Sequence, residues 1–413
     1  MKNQSNLIKK LLYFAIFVSP LGAGAVGVPI GGVQMSPFRL TIIIALLALL
    51  IRNKGKIIIC LPANRYSAWF MIIWLGYAFM SVLWSINTGY WLKAVFFIFI
   101  GVSSMILFIN NFSSKEDIEG ALVSLNFGIA IQALIGWYEI ITQDYRFIEK
   151  TQKWQLYFDA GFNREPVAMQ GNANDFGLLM FIGVFIALAC YRMANKKSVR
   201  RISIILAANY AILTILSGSR ACIIGLLIGL GVFLFLQGYK KIFVIVLPII
   251  VLIASPGTVI KLVNNLQFNF NATGGSDAIR VGLLKTGIDY TVRTLGFGVG
   301  AGQIEAWVET KGTQYFVGSV TNLHNWWIEL LTAYGVAIFV GYIIFYWKLF
   351  TCNYRITKSV GTKDIKTLSL SLCSILAGFV VASFSASSNI NTEYLWIFWS
   401  ICIAYQGLRF NLD

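Results

Sequence analysis

Charge is what this sequence has least of. Asp, Glu, Lys and Arg together make up 12% of its 413 residues, about half of the roughly 25% an ordinary soluble domain carries. A chain that poor in charge cannot clothe a water-facing surface, so a soluble enzyme is excluded. Histidine is rarer still: His324 is the single example. One imidazole without partner histidines does not make a zinc centre, and no Asp/Glu cluster surrounds any candidate residue that would cage a harder cation. The six cysteines, Cys60, Cys190, Cys222, Cys352, Cys373 and Cys402, all fall in or beside apolar runs. None has metal-type spacing and none lies in a long polar stretch, which argues against a disulfide framework. No internal repeat marks a secondary transporter, and no strand with a P-loop lysine marks a nucleotide site. No cofactor and no metal are expected.

What is abundant is apolar sequence. Hydrophobic residues reach 57%, aromatics 15% and the mean hydropathy is +0.72. Apolar segments recur at 11–28, 37–51, 67–85, 92–110, 118–142, 176–191, 202–217, 221–237, 242–255, 326–347, 367–386 and 394–408, which predicts an all-α polytopic membrane bundle of about twelve helices forming one integral membrane domain over 1–413. The net charge of +16 would suit nucleic acid, but the basic residues gather in short runs such as Lys9-Lys10, Lys196-Lys197, Arg200-Arg201 and Lys240-Lys241, between apolar segments. That is the positive-inside pattern, so a bilayer is the expected partner and nucleic acid is not. It places both termini in the cytoplasm of a bacterial inner membrane and leaves two long outer loops, 143–175 and 256–325. The opening MKNQSNLIKK resembles a signal peptide but lacks a convincing small-residue cleavage site, and reads as a retained first helix. Within the larger loop, Ile279, Leu283, Leu284 and Ile288 fall on one helical face, predicting a short amphipathic helix on the membrane surface or over the bundle.

Basic groups on the outer side need a reason. Arg220 in SGSRA sits at a tight turn between two spans; Arg280 opens the amphipathic segment; Arg164 in FNREP and Arg39 in SPFRL lie beside spans. A guanidinium stays charged and grips phosphate in a two-pronged fork, so these arginines suit an anionic lipid headgroup, while snorkelling to the interface remains open for each. Lys93 and Arg293 look like ordinary interfacial cations. Gly296, Gly298, Gly300 and Gly302 alternate in LGFGVGAGQ, as a close backbone approach or a hinge would require. His324 precedes an apolar run; a helix N-terminus there would keep the ring neutral, as a general base must be. A helix-capping interfacial histidine fits the same position. Glu393, Asn389 and Asn391 in SSNINTEYLW suit sugar contact or an ordinary polar turn equally.

These residues also resemble a known family. HNWWIELLTAYG has His-Asn, nine residues, then Gly, and is similar to the signature of the O-antigen ligase/polymerase superfamily, integral membrane glycosyltransferases of the GT-C type. SGSRA, FNREP followed by GNANDFGLLM, and Arg280 followed by TLGFGVGAG look like further elements of that family in the same order. The resemblance implies transfer of a glycan from undecaprenyl diphosphate on the outer membrane face. His324 would be the base and Arg220 and Arg280 would receive the diphosphate. Arg164, Arg39, Asn325 and Asn174 would be supporting substrate contacts. It implies as partners an undecaprenyl-diphosphate-linked oligosaccharide, an acceptor glycan or glycolipid, and a chain-length regulator protein. Ile338 departs from the ligase form of the histidine motif, whereas Arg280 with fifteen residues before Gly296 matches a polymerase pattern. Arg164 lacks the equivalent ten-residue spacing because Asp175 stands at the glycine's place. The sequence is therefore read as a repeat-unit polymerase, with a ligase as the alternative and a lipid-linked glycan flippase as a remote one.

Overall fold

A computed structural model describes residues 2–56, 65–147, 165–194, 196–239, 276–358, 363–386 and 389–408. Of the expected spans, 242–255 lies outside the described residues, 11–28 is spanning helix only as far as Val18, and each of the others falls on a helix. In chain order these are α1 (Lys2–Val18), α2 (Pro37–Arg52), α3 (Arg65–Met80), α4 (Thr88–Asn111), α5 (Lys115–Thr142), α6 (Ala173–Met193), α7 (Lys197–Leu216) and α8 (Arg220–Leu236). After α9 (Ser276–Arg293) and α10 (Gln303–Lys311) come α11 (Trp326–Lys358), α12 (Lys363–Ala382) and α13 (Glu393–Gly407). Among the described residues, seven helices are long and apolar enough to cross a membrane. The chain is an all-α, multi-pass membrane protein.

Helix boundaries follow their caps. Pro37 at the first position of α2 needs no amide hydrogen bond, and the Ser36 hydroxyl accepts the Arg39 amide at 3.2 Å. Ser114 and Asp117 form a reciprocal capping box at α5, and Lys9 reaches the same Asp117 carboxylate at 2.7 Å, tying α1 to α5. The first span ends earlier than its apolar run: α1 stops at Val18, before Pro20. The chain then makes a single helical turn, Ala23–Val26, and a hairpin of β1 (Val28–Ile30) on β2 (Val33–Met35), antiparallel with Val28 opposite Met35. The Gly31-Gly32 pair supplies the two-residue turn such a hairpin needs.

Packing ranks the helices. The apolar window of α6 is 83% buried and that of α7 only 28%, so α6 is the central strut and α7 a lipid-side helix. The sequence of α6 is apolar all round, which suits burial on every face. Helices α8 and α12 cross where Gly225 meets Gly378; a Cβ on Gly378 would stand 2.3 Å from the Gly225 carbonyl oxygen, the close backbone approach that small residues permit in membranes.

Helix α9 forms as expected, but only Ile279 and Leu283 of its four marked apolar residues face inward. Leu283, Thr286 and Tyr290 are buried, while Leu284 and Ile288 stand 38% and 45% exposed. Hydrogen bonds set the rotation. Thr332 of α11 donates to the Gly287 carbonyl at 3.0 Å, and Tyr290 donates to that of Gly312 at 2.8 Å. Gly287 then lies against Ile328 and Thr332. Leu284, Ile288 and Val292 are left as an outward stripe, spaced one turn apart, beside the exposed Leu295 and Phe297.

Candidate active site

A cavity of about 830 Å³ opens at one end of the bundle. At this end α1, α5 and α12 terminate and α2, α4, α6, α11 and α13 begin. Its wall includes His324, Arg39, Lys93, Asp175, Glu305, Glu329 and Glu393, with Tyr90, Tyr334 and Tyr394.

His324 is held by its neighbours. Its φ is +47°, a left-handed backbone that costs a non-glycine residue on the order of 1–2 kcal/mol and persists only where surroundings over-determine it. Asn322 does part of this, its side-chain oxygen accepting the His324 amide at 2.9 Å. Asn325 does the rest: its side-chain oxygen accepts the amides of Trp327 and Ile328 at 3.1 and 3.3 Å. Asn325 therefore caps α11, and His324 is the residue just before the cap. The Trp326 amide donates to the Ser383 carbonyl at 3.2 Å, and its indole donates to the Tyr342 hydroxyl at 3.1 Å. Beneath it, Trp74 packs against Trp326, Tyr334 and Trp396 at ring separations of 6.2, 5.4 and 5.7 Å. The first residue of α11, two beyond His324, is thus tied into an aromatic cluster. Burial first, then the positive charge of Arg280, holds the His324 pKa below the ordinary 6.5. At neutral pH it is an uncharged ring able to accept a proton.

The motif glycine, Gly335, breaks α11. Its φ of +75° and ψ of 179° are non-helical, and the backbone groups on either side of the break pair with the Gly-rich segment. Val299 and Gly300 donate to the carbonyls of Thr332 and Ala333 at 2.8 and 2.9 Å, and Val336 donates to that of Gly296 at 2.8 Å. Gly298 faces Gly335 so closely that a Cβ on Gly298 would lie 2.5 Å from the Gly335 nitrogen. The alternating glycines approach backbone here, clamping the end of α9 to the first turns of α11. This clamp connects the helix of Arg280 to the loop of His324. Gly335→Ala would drive a Cβ to 2.2 Å from the Gly296 oxygen on an unfavourable backbone. We expect it to destabilise the protein by about 2–4 kcal/mol. The readout is the half-unfolding temperature in detergent on a fixed heating ramp, and an unchanged temperature would contradict the clamp.

The structure distributes the sequence candidates as follows. Arg39 lines the cavity but is 3% exposed, and its guanidinium is committed. Nε lies 2.8 Å from Glu393 Oε1, Nη1 donates to the Gln34 carbonyl, Nη2 reaches that of Asn391 at 3.5 Å, and the plane lies 4.2 Å over Phe97. Arg280 is exposed on α9 and close enough for its charge to act on His324. Arg220 is the exposed first residue of α8, at the same end of the bundle but outside the cavity wall. Its turn is fixed by Ser219 and Ser385, hydroxyls 3.2 Å apart, and by Glu165, whose carboxylate lies against Gly218. Asn174 is outside the wall as well; its carbonyl meets Cys222 Sγ at 3.5 Å, while its neighbours Asn172 and Asp175 face the cavity. Arg164 lies outside the described residues. Among the described residues no group of three or more His, Cys, Asp or Glu is placed to hold a metal ion.

Sequence reasoning missed Lys93, Tyr90, Asp175, Glu305 and Glu329 as wall residues. Lys93 had the same signal as Arg220, a cation beside an apolar run. Glu329 is offset by five residues from His324, which on one straight helix would turn it away. His324 precedes the helix, and its left-handed backbone breaks that relation, so both line one cavity.

Residues 202–346 match the family model described as O-Antigen ligase. The chain is also 23% identical over 356 residues to the teichuronic acid biosynthesis protein TuaE of Bacillus subtilis (strain 168), covering 81% of this chain and 70% of that protein. The family match takes in α7, α8, α9, the glycine clamp and the His324–Gly335 motif. With an all-α, multi-pass architecture around that motif, the chain is similar to the O-antigen ligase/polymerase superfamily of polysaccharide biosynthesis.

Proposed function

We propose that this protein is a glycosyltransferase that extends an envelope polysaccharide, moving a glycan from a polyprenyl diphosphate to a sugar hydroxyl on the outer face of the cytoplasmic membrane. The observation that carries the reading is a half-buried imidazole, held neutral, in a large cavity, with an arginine charge close enough to act on it. The acceptor hydroxyl oxygen attacks the anomeric carbon as its proton passes to His324. The bond from that carbon to the diphosphate oxygen breaks, and the electron pair leaves with the lipid diphosphate. Arg280 and Arg220 receive the growing negative charge, the kind of stabilisation that contributes most in such reactions, and Arg164 remains a candidate beside them. Arg39, neutralised by Glu393, is set aside as a diphosphate ligand. One displacement inverts the anomeric centre.

The base assignment has a pH signature. Only neutral His324 accepts a proton, so kcat/KM falls as acid protonates it. A pKa held below 6.5 places that fall below pH 6.5. A rate already halved well above pH 6.5 would contradict it.

The favoured reaction is repeat-unit polymerisation. The family description favours ligation to a different acceptor as a second reading. Purified protein given only its lipid-linked repeat unit separates them: a ladder of products supports the polymerase, and product only after a second acceptor is added supports the ligase. No glycan transfer under either condition would contradict both.

A further inference from the structure

The cavity wall mixes the cations Lys93 and Arg39 with the carboxylates of Asp175, Glu305, Glu329 and Glu393. Glu393 stands 5% exposed at the start of α13. Its Oε1 accepts the Ser36 hydroxyl at 2.5 Å and faces Arg39 Nε at 2.8 Å. Its Oε2 is buried with no hydrogen-bond partner. The side-chain oxygen of Gln34 and the hydroxyls of Tyr334 and Tyr394 are also buried without partners, and all four residues line the cavity. Native proteins rarely leave buried polar atoms unsatisfied, and four such residues lining one cavity point to groups awaiting a ligand.

The identity of those atoms selects the ligand. A carboxylate oxygen and an amide oxygen only accept hydrogen bonds, and a tyrosine hydroxyl both donates and accepts. The missing partner must therefore bring hydrogen-bond donors, such as the hydroxyls or amide N–H groups of a sugar. A phosphate or carboxylate brings none and is repelled by Glu393, while the Arg39 charge that would attract it is already balanced. We propose that the Glu393 wall is a binding subsite for an uncharged, hydroxyl-rich sugar unit. Resting on the transfer reading above, this is the acceptor unit, held with one hydroxyl turned to His324.

The test measures binding without turnover. The protein in nanodiscs is titrated calorimetrically with two probes: the free oligosaccharide released from the host's lipid-linked repeat by mild acid, and inorganic pyrophosphate. Glu393→Gln is expected to weaken oligosaccharide binding about tenfold without weakening pyrophosphate binding, because it leaves the Arg39 charge unbalanced. Tyr394→Phe removes one hydroxyl and keeps the Arg39 pair. It is expected to weaken the oligosaccharide about fivefold while the unfolding temperature holds or rises, because an unsatisfied buried group has been deleted. The subsite is overturned if wild-type protein binds no oligosaccharide, if Tyr394→Phe and Glu393→Gln bind it like wild type, or if Glu393→Gln weakens both probes alike. Oligosaccharide binding through Glu393 in a protein that transfers nothing would support the subsite and refute the transferase; transfer with binding indifferent to Glu393 would do the reverse.

Discussion

His324→Ala is expected to lower glycan transfer by about 10²–10⁴-fold, the range a positioned general base contributes. The loss should fall on kcat, because the imidazole is needed when the hydroxyl proton leaves and adds little to binding before then. The fold should survive. The backbone at 324 is set by Asn322 through a main-chain hydrogen bond and by the Asn325 cap, neither of which uses the imidazole. His324→Ala should therefore insert, purify and unfold like wild type, and the acid limb of the pH profile should vanish with the base. Wild-type transfer in the reconstituted variant would remove His324 from the chemistry.

Arg280→Ala is the second large effect, expected at about 10²–10³-fold, comparable with loss of a charged group aimed at a developing anion. Lysine should recover little, since a single ammonium cannot form the two-pronged contact of a guanidinium. Arg280 also has an effect no bystander would have. Its charge helps to hold the His324 pKa down, so removing it lets that pKa rise and moves the acid limb to higher pH. A rate loss accompanied by an upward shift identifies Arg280 as a neighbour of the base. A rate loss with an unmoved limb would place it elsewhere, and unaltered transfer in Arg280→Lys would argue against bidentate recognition.

Much of this was legible in the residues. Apolar run length announces a membrane helix because a bilayer demands it, and the described helices coincide with the runs. The boundaries of α2 and α5 were readable too, since Ser36-Pro37 and Ser114 are local cap signals. What escaped was set by contacts distant in sequence. The rotation of α9 depends on Thr332 and Gly312, so the pattern of Ile279, Leu283, Leu284 and Ile288 named a helix but only half of its inward residues. The glycines of LGFGVGAGQ marked close approach without disclosing that the partner is the broken backbone at Gly335. Arg39 looked like an anion receptor because its neutralising carboxylate, Glu393, lies at the other end of the chain. Asn325 was read as a substrate contact, and its helix-capping role needed the main-chain geometry at 327 and 328.

The central claim is that the His324 cavity opens to the cell exterior, and thiol labelling tests it most directly. Gln314 is exposed in the loop leading to His324, and Lys56 is exposed near the opposite end of the bundle. Each is changed to cysteine in a background whose six native cysteines are serine. A membrane-impermeant maleimide should label Gln314→Cys in sealed protoplasts and Lys56→Cys only after permeabilisation. Labelling of Lys56→Cys in sealed protoplasts, with Gln314→Cys protected until they are opened, would put the cavity on the cytoplasmic side and contradict the account.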